Sequence, residues 1–382
     1  MCNPATPGDG SSAAPIQIFS PDEFYSQLGS GLVGKEYILC ADLDFGGATR
    51  SSITRFSGIL RGGGHSLSNL NISGHGLFKI LENATIDGLA LQGFVVMPNS
   101  SYPAGVLAGL GTNVEVGRVG ILDSRVNSSV DGPIGGLFGQ ISGCTRAVNL
   151  TYNHIQNVYL KTSRAGNPVA GFVGVFYQEY FDHVLSNNSV EVTLDLNSRT
   201  YCVGGFVGYT SQGILRENSV SVRFSFPGDY ERSGGFLGCT EMGQASSRVH
   251  IASNRIQFDT LYGNSFGRVG GIVGALESQG SVELVSNWVD GRVDAAHSNT
   301  KGMLVGHFDS GSLFASDNYW NSSTGSLPAI QSPSGYTLPA GNTGVTATTA
   351  SAGTPFSGGE WSNSSIWEFR AGAFPELVNT PR

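Results

Sequence analysis

A phrase of two glycines, two apolar residues and a third glycine returns through the middle of the chain. It reads Gly135-Gly136-Leu137-Phe138-Gly139, then Ala170-Gly171-Phe172-Val173-Gly174, Gly204-Gly205-Phe206-Val207-Gly208, Gly234-Gly235-Phe236-Leu237-Gly238 and Gly270-Gly271-Ile272-Val273-Gly274. Weaker copies, His75-Gly76-Leu77-Phe78, Ala104-Gly105-Val106-Leu107-Ala108 and Gly302-Met303-Leu304-Val305-Gly306, extend the series at both ends. The second position falls at 76, 105, 136, 171, 205, 235, 271 and 303, so successive steps are 29, 31, 35, 34, 30, 36 and 32 residues. A fixed period of this size means one structural unit stacked on copies of itself.

A second series runs out of phase with the first: Asn153-His154-Ile155, Asn188-Ser189-Val190, Asn218-Ser219-Val220, Asn254-Arg255-Ile256, Asn287-Trp288-Val289 and Asn318-Tyr319-Trp320. Between these landmarks lie short alternating runs such as Val190-Glu191-Val192-Thr193-Leu194 and Val220-Ser221-Val222-Arg223-Phe224. Period-two alternation rich in β-branched and aromatic residues predicts strands with one buried face.

Helical repeats of similar length are excluded by composition, since glycine fills 55 of 382 positions and charged residues only 13%. Glycine costs backbone entropy in a helix and is useful where chains turn or approach closely. A propeller blade is the main β alternative, but blades run ~40 to 50 residues, longer than this unit, and no Trp-Asp pair accompanies it. The pattern therefore predicts an all-β, right-handed parallel β-helix of about eight coils. Gly136, Gly171, Gly205, Gly235 and Gly271 are expected at a corner with no room for Cβ. Asn153, Asn188, Asn218, Asn254, Asn287 and Asn318 are expected at a second corner, where asparagine tolerates the left-handed conformation and stacked amides form a ladder.

These motifs resemble the GLUG-repeat proteins, named for a Gly-Leu-any-Gly phrase. Residues 59–70, Ile-Leu-Arg-Gly-Gly-Gly-His-Ser-Leu-Ser-Asn-Leu, resemble their opening coil, and Tyr37 to Phe45 the strand before it. Trp367-Glu368-Phe369 with Ala373-Phe374-Pro375-Glu376-Leu377 resembles their closing segment, so the resemblance covers roughly residues 16 to 382. It implies a bacterial or phage-like extracellular or cell-surface protein, often an adhesin or a secreted passenger, and no single activity.

The chain divides into a flexible linker or lipoprotein-type tether (1–15), an N-terminal cap (16–58), the repeat β-helix (59–322) and a C-terminal extension and cap (323–382). Within the N-terminal cap, Ser20-Pro21-Asp22-Glu23-Phe24-Tyr25-Ser26-Gln27-Leu28 carries a capping residue, Pro at the first helical position and an apolar pair four apart. The aromatic group Trp361, Trp367, Phe369 and Phe374 is expected to close the last coil.

Two readings of Cys2 stay open. A cysteine before a Pro/Gly/Ser tether is how a mature bacterial lipoprotein begins, making Cys2 a lipid attachment point and Met1 a replacement start; the other reading is a free thiol in a loose tail. Cys40, Cys144, Cys202 and Cys239 lack Cys-x-x-Cys spacing and nearby His pairs, which argues against a metal site; buried free thiols are the favoured reading, with a Cys202–Cys239 disulfide open.

With 21 basic against 29 acidic residues, neither nucleic acid nor an anionic membrane is an expected partner. The membrane would be reached only through a lipid on Cys2. No cofactor is expected. No Asp or Glu recurs at one repeat position, and no Gly-x-Ser-x-Gly occurs, so no catalytic residue is assigned. Gly74-His75-Gly76 matches a polygalacturonase tripeptide but occupies the Gly-Gly slot, and the structural reading is favoured.

The candidate binding surface is Tyr177, Tyr180 and Phe181, in an insertion after the fourth phrase, joined by Tyr230 and Phe226 from a later coil. The reading that follows is a surface or secreted binding protein presenting an extended face to a glycan or protein. A polysaccharide-active lyase or hydrolase and a structural stalk are the alternatives.

Overall fold

The computed structural model describes residues 2–3, 8–164, 166–177, 183–196, 200–225, 230–240, 247–263, 267–295, 300–324, 327–330, 342–345, 356, 361, 363–369 and 375–378. The described chain is almost wholly β, with one α-helix, α1 (Pro21–Leu28). The strands form a parallel solenoid in which each pairs in parallel with the strand one repeat away; outside it, Trp367–Glu368 and Glu376–Leu377 pair antiparallel.

The register makes the core explicit. On one sheet Ile16, Tyr37, Leu60, Ile86, Val116, Leu150, Leu185, Leu215, Ile251, Leu284 and Ala315 stack as a single column. On a second, Leu43, Leu67, Leu91, Ile121, Ile155, Val190, Val220, Ile256 and Val289 do the same. A third runs Phe78, Ala108, Phe138, Val173, Val207, Leu237, Val273, Val305. Parallel pairing at about 4.8 Å places each inward side chain on its equivalent in the next coil. Phe172, Phe206 and Phe236 thus stack ring on ring at 4.7 and 4.9 Å.

The Gly-Gly phrase marks a point where backbones leave no room. A Cβ on Gly136, Gly171, Gly205, Gly235 or Gly271 would fall 2.0 to 2.4 Å from a carbonyl oxygen of the neighbouring coil. None of the five has positive φ, so close approach, and not a left-handed turn, is what excludes a side chain.

The asparagines form a buried ladder. Nδ2 of each donates to Oδ1 of the next, at 3.0 Å from Asn153 to Asn188, Asn188 to Asn218, Asn218 to Asn254 and Asn254 to Asn287, and 2.8 Å from Asn287 to Asn318. Each Nδ2 also donates to a carbonyl in the preceding coil, and each Oδ1 from Asn188 onward also accepts the backbone N–H of the preceding ladder residue. The expected left-handed conformation is displaced by one residue. It belongs to Tyr152, Asn187, Glu217, Ser253, Ser286 and Asp317, immediately before each ladder asparagine, at φ of 54 to 58°. Asparagine is selected here by its amide, not its backbone.

The solenoid extends beyond the expected limits at both ends. Lys35–Leu39 and Leu43–Asp44, in the segment read as a cap, are rungs of the stack. Residues 8–15, read as linker, pack against it: Gly10 O accepts from Glu36 N at 3.0 Å, and Lys35 Nζ donates to Asp9 O at 2.9 Å. In the segment read as an extension, Thr343–Val345 adds a rung and Asn342 Oδ1 accepts from Asn318 Nδ2 at 2.8 Å.

α1 forms as its sequence dictates. Ser20 Oγ accepts from Glu23 N at 3.3 Å, Glu23 Oε2 accepts from Phe19 N at 2.8 Å, and Phe24 and Leu28 enter the main core. Trp361 and Trp367 stack at 4.3 Å, but with Phe356 they cover Trp288 and Tyr319. Those two share their register with the polar column of Ser189, Ser219 and Arg255. The aromatic segment therefore covers a flank of the last coils, not the end of the core; Phe374 lies outside the described residues.

The cysteines also differ from expectation. Cys2, read as a lipid anchor or a loose thiol, is disulfide-bonded to Cys40, which leaves its sulfur no valence for a lipid. Cys202 and Cys239, favoured as free thiols, form a second disulfide. Cys144 remains a thiol, and its sulfur accepts from Asn113 N.

Candidate functional site

Long strands turn one corner of the solenoid, and their registers are unequal. His154–Thr162 carries one extra residue between Ile155 and Val158, opposite Val190 and Val192. Arg255–Gly263 carries one between Gln257 and Thr260, opposite Asp290 and Arg292. The intervening strands, Ser189–Leu196 and Ser219–Phe224, pair without interruption. A bulge leaves ladder groups unpaired and re-aims side chains. Here Asp259 Oδ1 accepts from Phe224 N at 3.1 Å and Thr260 N at 2.7 Å, and Asn157 takes a left-handed φ of 53° while its Nδ2 donates to Asp123 Oδ1 at 2.7 Å.

Between the two bulges opens a cleft of about 360 Å³, lined by Asn157, Glu191, Thr193, Ser221, Arg223, Gln257 and Asp259 over Val192, Val222 and Phe258. The side chains come from successive rungs because Glu191, Ser221 and Gln257 share one register column, as do Thr193 and Arg223. The floor is fixed: a Cβ on Gly235 or Gly291 would meet the Phe258 ring at 2.6 or 2.3 Å, so the ring sits between two glycines. Beside the cleft, buried Asp195 accepts from Tyr159 Oη and pairs with Lys161 Nζ at 3.1 Å. Burial, and secondarily the Asp195 carboxylate, push the Tyr159 hydroxyl up to about 12.

Chemically, this is an open polar surface with hydroxyl, amide, carboxylate and guanidinium groups at fixed spacing along the stack. Among the described residues no three His, Cys, Asp or Glu side chains converge as a metal site would require.

The expected aromatic surface is placed elsewhere. Tyr177 is 41% exposed and stacks on Tyr209 at 6.3 Å with ring planes 17° apart. Tyr209 shares its register column with Gln140, Val175 and Cys239, on the third sheet and away from the cleft. Tyr180, Phe181 and Phe226 lie outside the described residues. The backbone of Tyr230 pairs with Thr200, and its side chain lies outside the described set. Tyr209 was the missed partner; its position two residues after Val207, directly above Val175, was the available signal. The cleft residues went unnoticed because Glu191, Ser221 and Arg223 read as the ordinary solvent side of alternating strands.

No family model matches the chain, and no curated protein matches it. Among solved structures the chain is similar to one from Bacteroides ovatus titled a "putative immunoglobulin A1 protease", at 15% identity and a TM-score of 0.45, covering 98% of this chain and 95% of that one. A likeness this slight carries no argument about activity.

Proposed function

We propose that this protein is an extracellular or surface-exposed right-handed β-helix of the GLUG-repeat type that binds a glycan along the cleft between its two bulges. Right-handedness follows from the strong bias of parallel crossover connections. An oxidising compartment is supported by two disulfides in one chain. The observation that carries the binding reading is the cleft itself. It presents Asn157, Glu191, Thr193, Ser221, Arg223 and Gln257 across successive rungs, a repeating display of donors and acceptors suited to a chain of hydroxyl-rich units.

The test is a glycan array probed with the purified protein and with an Arg223→Ala, Glu191→Gln double variant. Binding by the wild type that the variant loses, with its melting temperature unchanged, is expected. Absence of glycan binding, or equal binding by both proteins, overturns the assignment.

A further inference from the structure

A second cluster lies near the N-terminal end, around a histidine that the cleft does not use. His75 is 3% exposed, and its Nε2 lies 3.0 Å from Ser100 Oγ. Ser100 itself is exposed and opens a tight turn in which its carbonyl accepts from Tyr102 N at 2.8 Å. The histidine is held from three sides. Its backbone N–H donates to Ser52 Oγ at 2.9 Å, its carbonyl accepts from Gly105 N at 3.0 Å, and the Tyr102 ring packs against the imidazole edge to face at 5.1 Å. The Lys79 ammonium sits 4.9 Å from the centre of the same tyrosine ring.

We infer that Ser100 and His75 form a nucleophile and base pair acting on acyl esters. A nucleophilic serine needs a base within hydrogen-bond reach and a base fixed in orientation; both are present, with the serine open to solvent. Ser100 Oγ attacks the ester carbonyl while its proton passes to His75 Nε2. The acyl C–O bond breaks, and the departing alcohol takes that proton. Water then adds to the acyl-serine, giving its proton to Nε2, and the carboxylic acid leaves as Ser100 recovers its hydrogen. Among the described residues no carboxylate orients His75; its Nδ1 is buried, and the ring and main chain of Tyr102 beside it set the orientation.

Burial, and then Lys79, hold the His75 imidazole below its ordinary value of 6.5. The other charged groups near the cluster are Arg55, which faces Tyr102, and Glu82, which pairs with Arg55 at 2.8 Å. The neutral, proton-accepting form of His75 is therefore favoured to lower pH than in a free imidazole.

The test is covalent labelling of the intact chain with a fluorophosphonate, read by intact mass and peptide mapping. One adduct on Ser100 is expected, absent in Ser100→Ala, formed roughly a hundredfold more slowly in His75→Gln, and half-maximal in rate below pH 6.5. No adduct on Ser100, undiminished labelling of a folded His75→Gln, or a midpoint at or above 6.5 each overturns the pair. Should His75→Gln not fold, the wild-type adduct site and its pH midpoint decide alone.

Discussion

Asn218 Nδ2 donates to Asn254 Oδ1 at 3.0 Å while its own Oδ1 receives both the Nδ2 and the backbone N–H of Asn188. A fourth bond runs from its Nδ2 to Leu185 O at 2.9 Å. Every polar capacity of the amide is used, in a fully buried position. Asn218→Ala is therefore expected to cost about 3 to 5 kcal/mol, because stranding a buried donor or acceptor costs roughly 1 to 3 kcal/mol each. Asn218→Asp should cost more at pH 7, since it sets a carboxylate oxygen against Asn254 Oδ1. Denaturant unfolding followed by circular dichroism checks both, and a loss under about 1 kcal/mol, a typical single net hydrogen bond, would refute the ladder's role.

Two glycines separate steric need from composition. A Cβ at Gly205 would lie 2.0 Å from Gly235 O, whereas one at Gly120 would meet nothing within 4 Å. Gly205→Val is expected to prevent folding or lower stability by at least about 3 kcal/mol, beyond ordinary overpacking. Gly120→Ala should stay within about 0.5 kcal/mol of wild type. Melting temperatures of the two variants give the comparison directly.

Tyr152, at φ 58°, precedes Asn153 and is 49% exposed. Tyr152→Asn should stabilise the protein by about 0.5 to 1 kcal/mol, since asparagine adopts the left-handed region at lower cost than a bulky side chain. A decrease in unfolding midpoint would contradict this.

How much of the molecule was legible depends on whether a residue's job repeats. Gly205 and Asn218 meet the same carbonyl and the same amide in every coil, so periodicity exposes them. The coil that carries Leu43 hides in the segment read as a cap because the first coils are shorter: Leu43, Leu67 and Leu91 stand 24 residues apart, and Leu91 and Ile121 30 apart. Asn342 hides for the same reason, 24 residues after Asn318. The cleft depends on single extra residues at Asn157 and Asp259, which no repeat announces. His75 and Ser100 meet only because a turn after Val95–Met97 folds back on the preceding coil.

The sequence carries five cysteines and the structure two disulfides, so thiol titration of the denatured, unreduced protein should find five minus four, one thiol per chain. Replacing Cys202 and Cys239 together by alanine should cost about 4 kcal/mol, the loop-closure value for a crosslink of this span. Three or five titratable thiols would disprove one or both crosslinks.

Acid should destabilise the fold through His75. Its folded pKa lies below the unfolded 6.5, so the unfolded chain binds the proton more readily. Its contribution is complete above pH 6.5 and is lost as pH falls from there toward the lower folded value. His75→Gln should flatten the stability profile between pH 6.5 and the folded midpoint, checked by melting temperature against pH.

The amide ladder also gives the solenoid a sense of direction. Every bond accepted by a ladder Oδ1 comes from a donor in the coil before it, beginning where Val119 N donates to Asn153 Oδ1 and ending at Asn342. At the ladder amide, a stack cut from its C-terminal side would leave an Nδ2 hydrogen and a backbone N–H unpaired, and one cut from its N-terminal side an unpaired Oδ1 together with the other Nδ2 hydrogen. The two faces are thus chemically different, like the plus and minus ends of a filament. A nascent chain emerging N-terminus first offers donors that only the next asparagine to arrive can fill.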